Sequence, residues 1–105
     1  AAELVRNVRH SDDVLNYILN LAEASRSHTK LLYGLSTRAV LALRHASQAA
    51  AAVSGRDYII PDDVKKVFSA VCTHRLQPAG GLLADASAAD QIIQEILENT
   101  PVPQP

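Results

Sequence analysis

The sequence has little to offer by way of aromatic residues, with one Phe, three Tyr and no Trp among 105 residues. A core built on large rings is excluded, and the abundant Ala, Val, Leu and Ile point instead to close-packed aliphatic helices. A single cysteine, Cys72, has no partner for an internal disulfide, which excludes a disulfide-stapled scaffold and fits a reducing compartment. Neither sign of charge predominates, since 10 Lys and Arg stand against 11 Asp and Glu. The basic field on which nucleic-acid binding rests is therefore missing, and no nucleic-acid partner is expected. There is no apolar run of about 18 residues and no charged-then-apolar leader, so neither a membrane span nor a signal peptide is expected and the expected location is cytoplasmic. His10, His28, His45, His74 and Cys72 show no short ligand spacing, so no metal site is expected.

What is present reads as one small all-α domain of four helices. The run from Ser11 to Ser27 offers an N-cap Ser, two acids in the first turn, and Val14, Leu15, Ile18, Leu21 and Ala22 at helical spacing. The following "HTKLLYGL" is apolar but short and reads as a partly buried loop that aims the next helix. That helix runs from about Thr37 to Val53, with Ser36 as N-cap and Gly55 just past its end. Ala39, Val40, Leu43, Ala46, Ala50 and Val53 form its apolar stripe, and its alanine content suits a central helix. A third helix starts at Pro61, with Asp62 and Asp63 in its first turn and Val64, Val67, Phe68 and Val71 on one face. Ile60 stands where a capping Ser or Thr would strengthen that start, so a weak beginning is expected. A fourth helix, capped by Ser87, presents Ile92, Ile93, Ile96 and Leu97, and the tail "TPVPQP" cannot continue it.

One residue is out of place in this pattern. Arg38 puts a cation in the first turn of the second helix, where the dipole is already positive, at a cost of about 0.3–1 kcal/mol when exposed. Such a placement suggests a nearby anion. From spacing alone, a solvated arginine or a weak pair with Asp12 or Asp62 is the favoured explanation. Arg44, further along the helix, reads as a stem covering apolar surface. Asp62 and Asp63 are sequence neighbours that do not face each other on a helix, and they read as acids at a helix start.

The order of features in "GLSTRAVLALRHASQAAAAVSGRDYIIPDDVKKV" resembles the C-terminal lid of the MoxR family of AAA+ ATPases. "HSDDVLNYILNLAEASRSH" is similar to that family's first lid helix, "THRL" to its His-Arg-Leu segment and "ILENTPVP" to its C-terminal ending. The resemblance implies residues 1–10 as a lead-in from an upstream nucleotide-binding domain, 11–76 as the helical lid core, and 77–105 as linker, C-terminal helix and Pro-rich tail. It further implies that Arg38 is the sensor 2 residue reaching a phosphate of ATP, with Ser36 and Gly34 in the same nucleotide-facing segment. A helix N-terminus and a guanidinium together suit a phosphate. ATP with magnesium, the upstream AAA+ core domain, neighbouring subunits of a ring and a protein client are the implied cofactor and partners. Thr37 and Leu35 depart from the family's usual Pro and small residue.

The sequence holds no Gly-x-x-x-x-Gly-Lys-Ser/Thr loop and no apolar strand ending in acidic magnesium ligands. No catalytic residue is expected within it, and the chain by itself is not expected to hydrolyse ATP. The alternative reading is a histone-fold-like or adaptor helical domain, against which the balanced charge argues. A third is a free-standing scaffold, if the segment from Gln77 onward packs over the second helix. His74 and Arg75 suit either the dipole of the third helix or a contact to another domain.

Overall fold

In the computed structural model the described residues are 8–28, 31–72, 77–78 and 86–103. They form four α-helices, α1 (Asp12–Ser27), α2 (Thr37–Val53), α3 (Pro61–Cys72) and α4 (Ala86–Asn99), with one short strand pair, β1 (Leu31–Tyr33) and β2 (Gln77–Pro78). The fold is a small all-α bundle.

Ser11 starts α1 as its spacing predicts, its Oγ accepting from the Val14 amide at 3.2 Å. Val14, Tyr17, Ile18, Leu21 and Ala22 then turn one face of α1 into the core, where they meet Leu43, Val64, Phe68, Ile92, Ile93 and Ile96. α2 and α3 make the most extensive helix pair, α1 lies against both, and α4 packs on α1 and α3. The small side chains of Ala39 and Ala51 let the α2 backbone approach its neighbours closely.

Four details depart from the sequence reading. "LLY" within the expected loop is β1, which pairs antiparallel with β2 through Leu31 with Pro78 and Tyr33 with Gln77. Val53, expected on the apolar stripe of α2, is 90% exposed. The buried row runs instead through Ala39, Leu43, Ser47 and Ala51, an i, i+4 ridge that leaves Val53 on the outer side of the last turn. Ser87 lies inside α4 rather than before it, because the helix begins at Ala86. Among the described residues from Gln77 onward, α4 packs on α1 and α3 rather than along α2, and Val102 and Pro103 lie beside Ser11, Ile60 and Pro61 at the starts of α1 and α3.

The start of α3 is firmer than Ile60 suggested. Asp63 is fully buried and reaches back to the Ile60 amide at 2.9 Å, while its own amide donates to the Ile60 carbonyl at 3.0 Å. The two neighbouring acids thus differ in role. Asp62 stays exposed at the dipole, whereas Asp63 caps the helix and holds Arg56 in a pair of 2.5 Å. Gln48, buried on α2, ties down the lead-in strand by donating to the Val8 carbonyl at 3.0 Å. Arg9 continues that strand by exchanging backbone bonds with Asp57 and Ile59.

Candidate functional site

The segment from Gly34 to Arg38 is positioned by the last turn of α1. Ser25 sits where the apolar stripe of that helix would place its next residue, and it is fully buried. Its hydroxyl donates to the Ala22 carbonyl at 2.6 Å and accepts from the Leu35 amide at 2.9 Å. Arg26 completes the clamp, its Nε donating to the Leu35 carbonyl at 3.3 Å. Both polar groups of the Leu35 backbone are therefore satisfied by α1, and the Leu35 side chain is buried between them.

Gly34 makes this contact possible. A Cβ at that position would stand 2.6 Å from Arg26 Cα and from the Ser25 carbonyl carbon, closer than side-chain carbons approach backbone. Gly34 serves close approach, and its φ is not in the left-handed region, where among the described residues only Gly55 is found.

With Leu35 fixed, Ser36 adopts an extended conformation (φ −73°, ψ 166°) and caps α2. Its Oγ accepts from the Ala39 amide at 3.1 Å and its carbonyl from the Val40 amide at 3.0 Å. Ser36→Ala should therefore lower stability by about 1 kcal/mol, measured as a shift of the urea midpoint with unchanged slope. A loss near zero would mean that water replaces the cap without cost.

Arg38 follows in the first turn and is exposed. Among the described residues it makes no hydrogen bond or ion pair, so neither Asp12 nor Asp62 neutralises it. Leu41, one turn further along, is 57% exposed on the same side of α2. The result is an unpaired guanidinium beside the positive end of a capped helix, with an apolar side chain next to it. Such a surface suits a phosphate.

The structure brings Gly34, Ser36 and Arg38 together as one rigid corner but gives them different tasks. Gly34 and Ser36 are occupied by local packing and capping, while Arg38 is free to reach outward. Periodicity did not reveal the clamp of Ser25 and Arg26, although a serine continuing an apolar stripe was a usable signal. Arg44 is half-buried, with its Nε enclosed among protein atoms. His28 pairs with Glu95 at 2.9 Å, Cys72 is buried and His45 is exposed. His74 and Arg75 lie outside the described residues. Among the described residues no helix is long and apolar enough to cross a membrane.

The second helix of the bundle thus opens on a clamped, capped corner that bears Arg38. The family model of the AAA lid domain matches residues 23–96. Among curated proteins, the chain is 33% identical to the uncharacterized protein YeaC of Bacillus subtilis, over 94% of this chain and 31% of that protein. It is 32% identical to the chaperone MoxR1 of Mycobacterium tuberculosis, over 87% of this chain and 26% of that protein. A crystal structure from Cytophaga hutchinsonii, provisionally described as an ATPase, superposes with a TM-score of 0.84 at 29% identity, over 97% of this chain and 34% of that one. The chain thus spans about a third or less of the relatives it matches. It belongs to the AAA lid domain family, as the C-terminal lid of a MoxR-family AAA+ ATPase.

Proposed function

We propose that this lid closes over ATP bound to the AAA+ core of its parent protein and that Arg38 is the sensor 2 residue contacting the β- or γ-phosphate. The observation that carries this reading is the unpaired, exposed Arg38 at the capped N-terminus of α2. Gly34 and Ser36 act as positioning residues, because one seats the corner on α1 and the other starts the helix that carries the arginine. ATP with magnesium supplies the phosphate charge and the bond to be cleaved. The chain's part is to place one cation and to tie the phosphate state to the angle of a rigid bundle.

In this reading the parent is a cytoplasmic ATPase that works as a ring and remodels or matures other protein complexes. The shared lid family and the chaperone name of the Mycobacterium tuberculosis relative support it. The test is magnesium-dependent ATP hydrolysis by the full-length parent, wild type against Arg38→Ala. Turnover should fall about tenfold or more, the loss expected for one charge-assisted contact to phosphate. The thermal unfolding of the lid should not change, since Arg38 is bonded to none of the described residues. Unaltered turnover would remove Arg38 from the mechanism.

A further inference from the structure

A second cation on α2 has no partner. Arg44 is half-buried, and its Nε is enclosed by protein atoms with no acceptor in reach. Among the described residues the remainder of its guanidinium makes no hydrogen bond or ion pair either. α2 itself offers no acid, since neither Asp nor Glu occurs between Thr37 and Val53.

This differs from the case of Arg38. An exposed guanidinium keeps its water and needs no partner. Arg44 has given up part of that water, and a cation partly withdrawn from solvent without an acceptor is unfavourable. Its acceptor is therefore to be sought outside the bundle.

Three neighbours narrow where that acceptor comes from. Positions three and four apart share a side of a helix, which groups Arg44 with Val40 and Leu41 before it and with Gln48 after it. Val40 packs on the core, so the open part of this side is Leu41, which is 57% exposed. Gln48 holds the Val8 carbonyl at 3.0 Å. The lead-in segment thus reaches the bundle one turn from Arg44, about 6 Å along the helix axis. In a C-terminal lid the preceding domain is joined through that segment, and the chain spans about a third or less of its relatives. The upstream domain is accordingly tethered beside Leu41 and Arg44.

We propose that Arg44 forms an ion pair with a carboxylate of the upstream nucleotide-binding domain of the same polypeptide, in a contact whose apolar part is Leu41. A carboxylate can accept two N–H bonds from one guanidinium and brings the charge that α2 lacks. Because the contact lies beside the lead-in segment, it acts at the hinge and holds with or without nucleotide. It rests on the reading of the chain as the lid of a larger ATPase, and not on the role given to Arg38.

The experiment is carbodiimide coupling in the full-length parent carrying Arg44→Lys, without nucleotide, read by mass spectrometry of the digest. The reagent joins an amine to a carboxylate in ion-pair contact with it, so the product identifies the acid; wild type supplies the background. The substituted amine should couple to an Asp or Glu of the upstream domain. A mixture of isotopically light and heavy protein should show the link within one chain, and magnesium-ATP should leave it in place. Arg44→Glu should then lower the melting temperature of the parent by about 2 °C or more. Replacing the identified acid with Arg in the same protein should recover most of that loss. Absence of coupling, coupling only to acids within residues 1–105, a link between chains, or no recovery in the charge swap would each overturn the proposal. So would a link abolished by ATP, which would make Arg44 a second phosphate contact instead. None of these readings uses turnover, so they stand or fall apart from the test of Arg38→Ala.

Discussion

Replacing Gly34 with alanine should lower the unfolding free energy by about 3 kcal/mol or more, at the upper end of the usual cost of overpacking. The new methyl would meet not a flexible side chain but the backbone of Ser25 and Arg26, which can yield only if the last turn of α1 and the corner move apart. That separation would also stretch both bonds by which α1 holds Leu35. Against a typical total of about 5–15 kcal/mol, such a loss is a large part of the domain's stability. Urea denaturation of the two forms measures it directly. A change under about 1 kcal/mol would mean that the corner relaxes without strain and does not rigidly aim α2. In the parent ATPase, Gly34→Ala should impair turnover together with stability, in contrast to Arg38→Ala, which should impair turnover alone.

Asp63→Ala is the second large effect, expected near 3 kcal/mol. It removes three things at once: the partner of Arg56, whose side chain is 20% exposed, the acceptor for the Ile60 amide, and the filled volume at a buried position. Because Arg56 retains some access to water, the lower end of the range for breaking a buried pair applies. Asp63→Asn keeps an oxygen for the Ile60 amide and should cost less. The gap between wild type and Asp63→Ala should persist in high salt, since a buried pair is weakly screened. If that gap vanished in salt, the pair would be acting as a surface pair of small worth.

The residues that were legible in the sequence are those whose role is local. Ser11 and Ser36 cap their helices through bonds that span three residues, and both are visible as a serine before an apolar period. Helical spacing likewise placed Val14, Ile18, Leu43, Phe68 and Ile93 in the core. Long-range partnerships left no such trace. Asp63 looked the same as Asp62 because a dipole argument treats both as first-turn acids, and only the return of Arg56 to it makes one of them buried. Gln48 and Ser47 are polar residues of α2 that the apolar spacing does not place, and both are buried, one bound to the Val8 carbonyl and the other to the Leu43 carbonyl. Val53 kept its place in the apolar count but lies on the outer side of the last turn, turned away from the side that buries Ala51.

The candidate site divides along the same line. The anomaly of Arg38 was visible as a cation where the dipole disfavours one. Its support was not visible, because the clamp joins residues separated by about ten positions and depends on a close approach that only the packed structure reveals. The beginning of β1 and its pairing with β2 belong to the same class, as a contact between segments far apart in sequence.

The most direct measurement is the structure of the parent ATPase with magnesium and a non-hydrolysable ATP analogue, read at a single distance. If Arg38 senses the nucleotide, its guanidinium should lie within about 4 Å of a β- or γ-phosphate oxygen, with the Gly34 corner unchanged against α1. An ATP-bound, closed lid in which Arg38 points to solvent while another residue contacts the phosphate would contradict it.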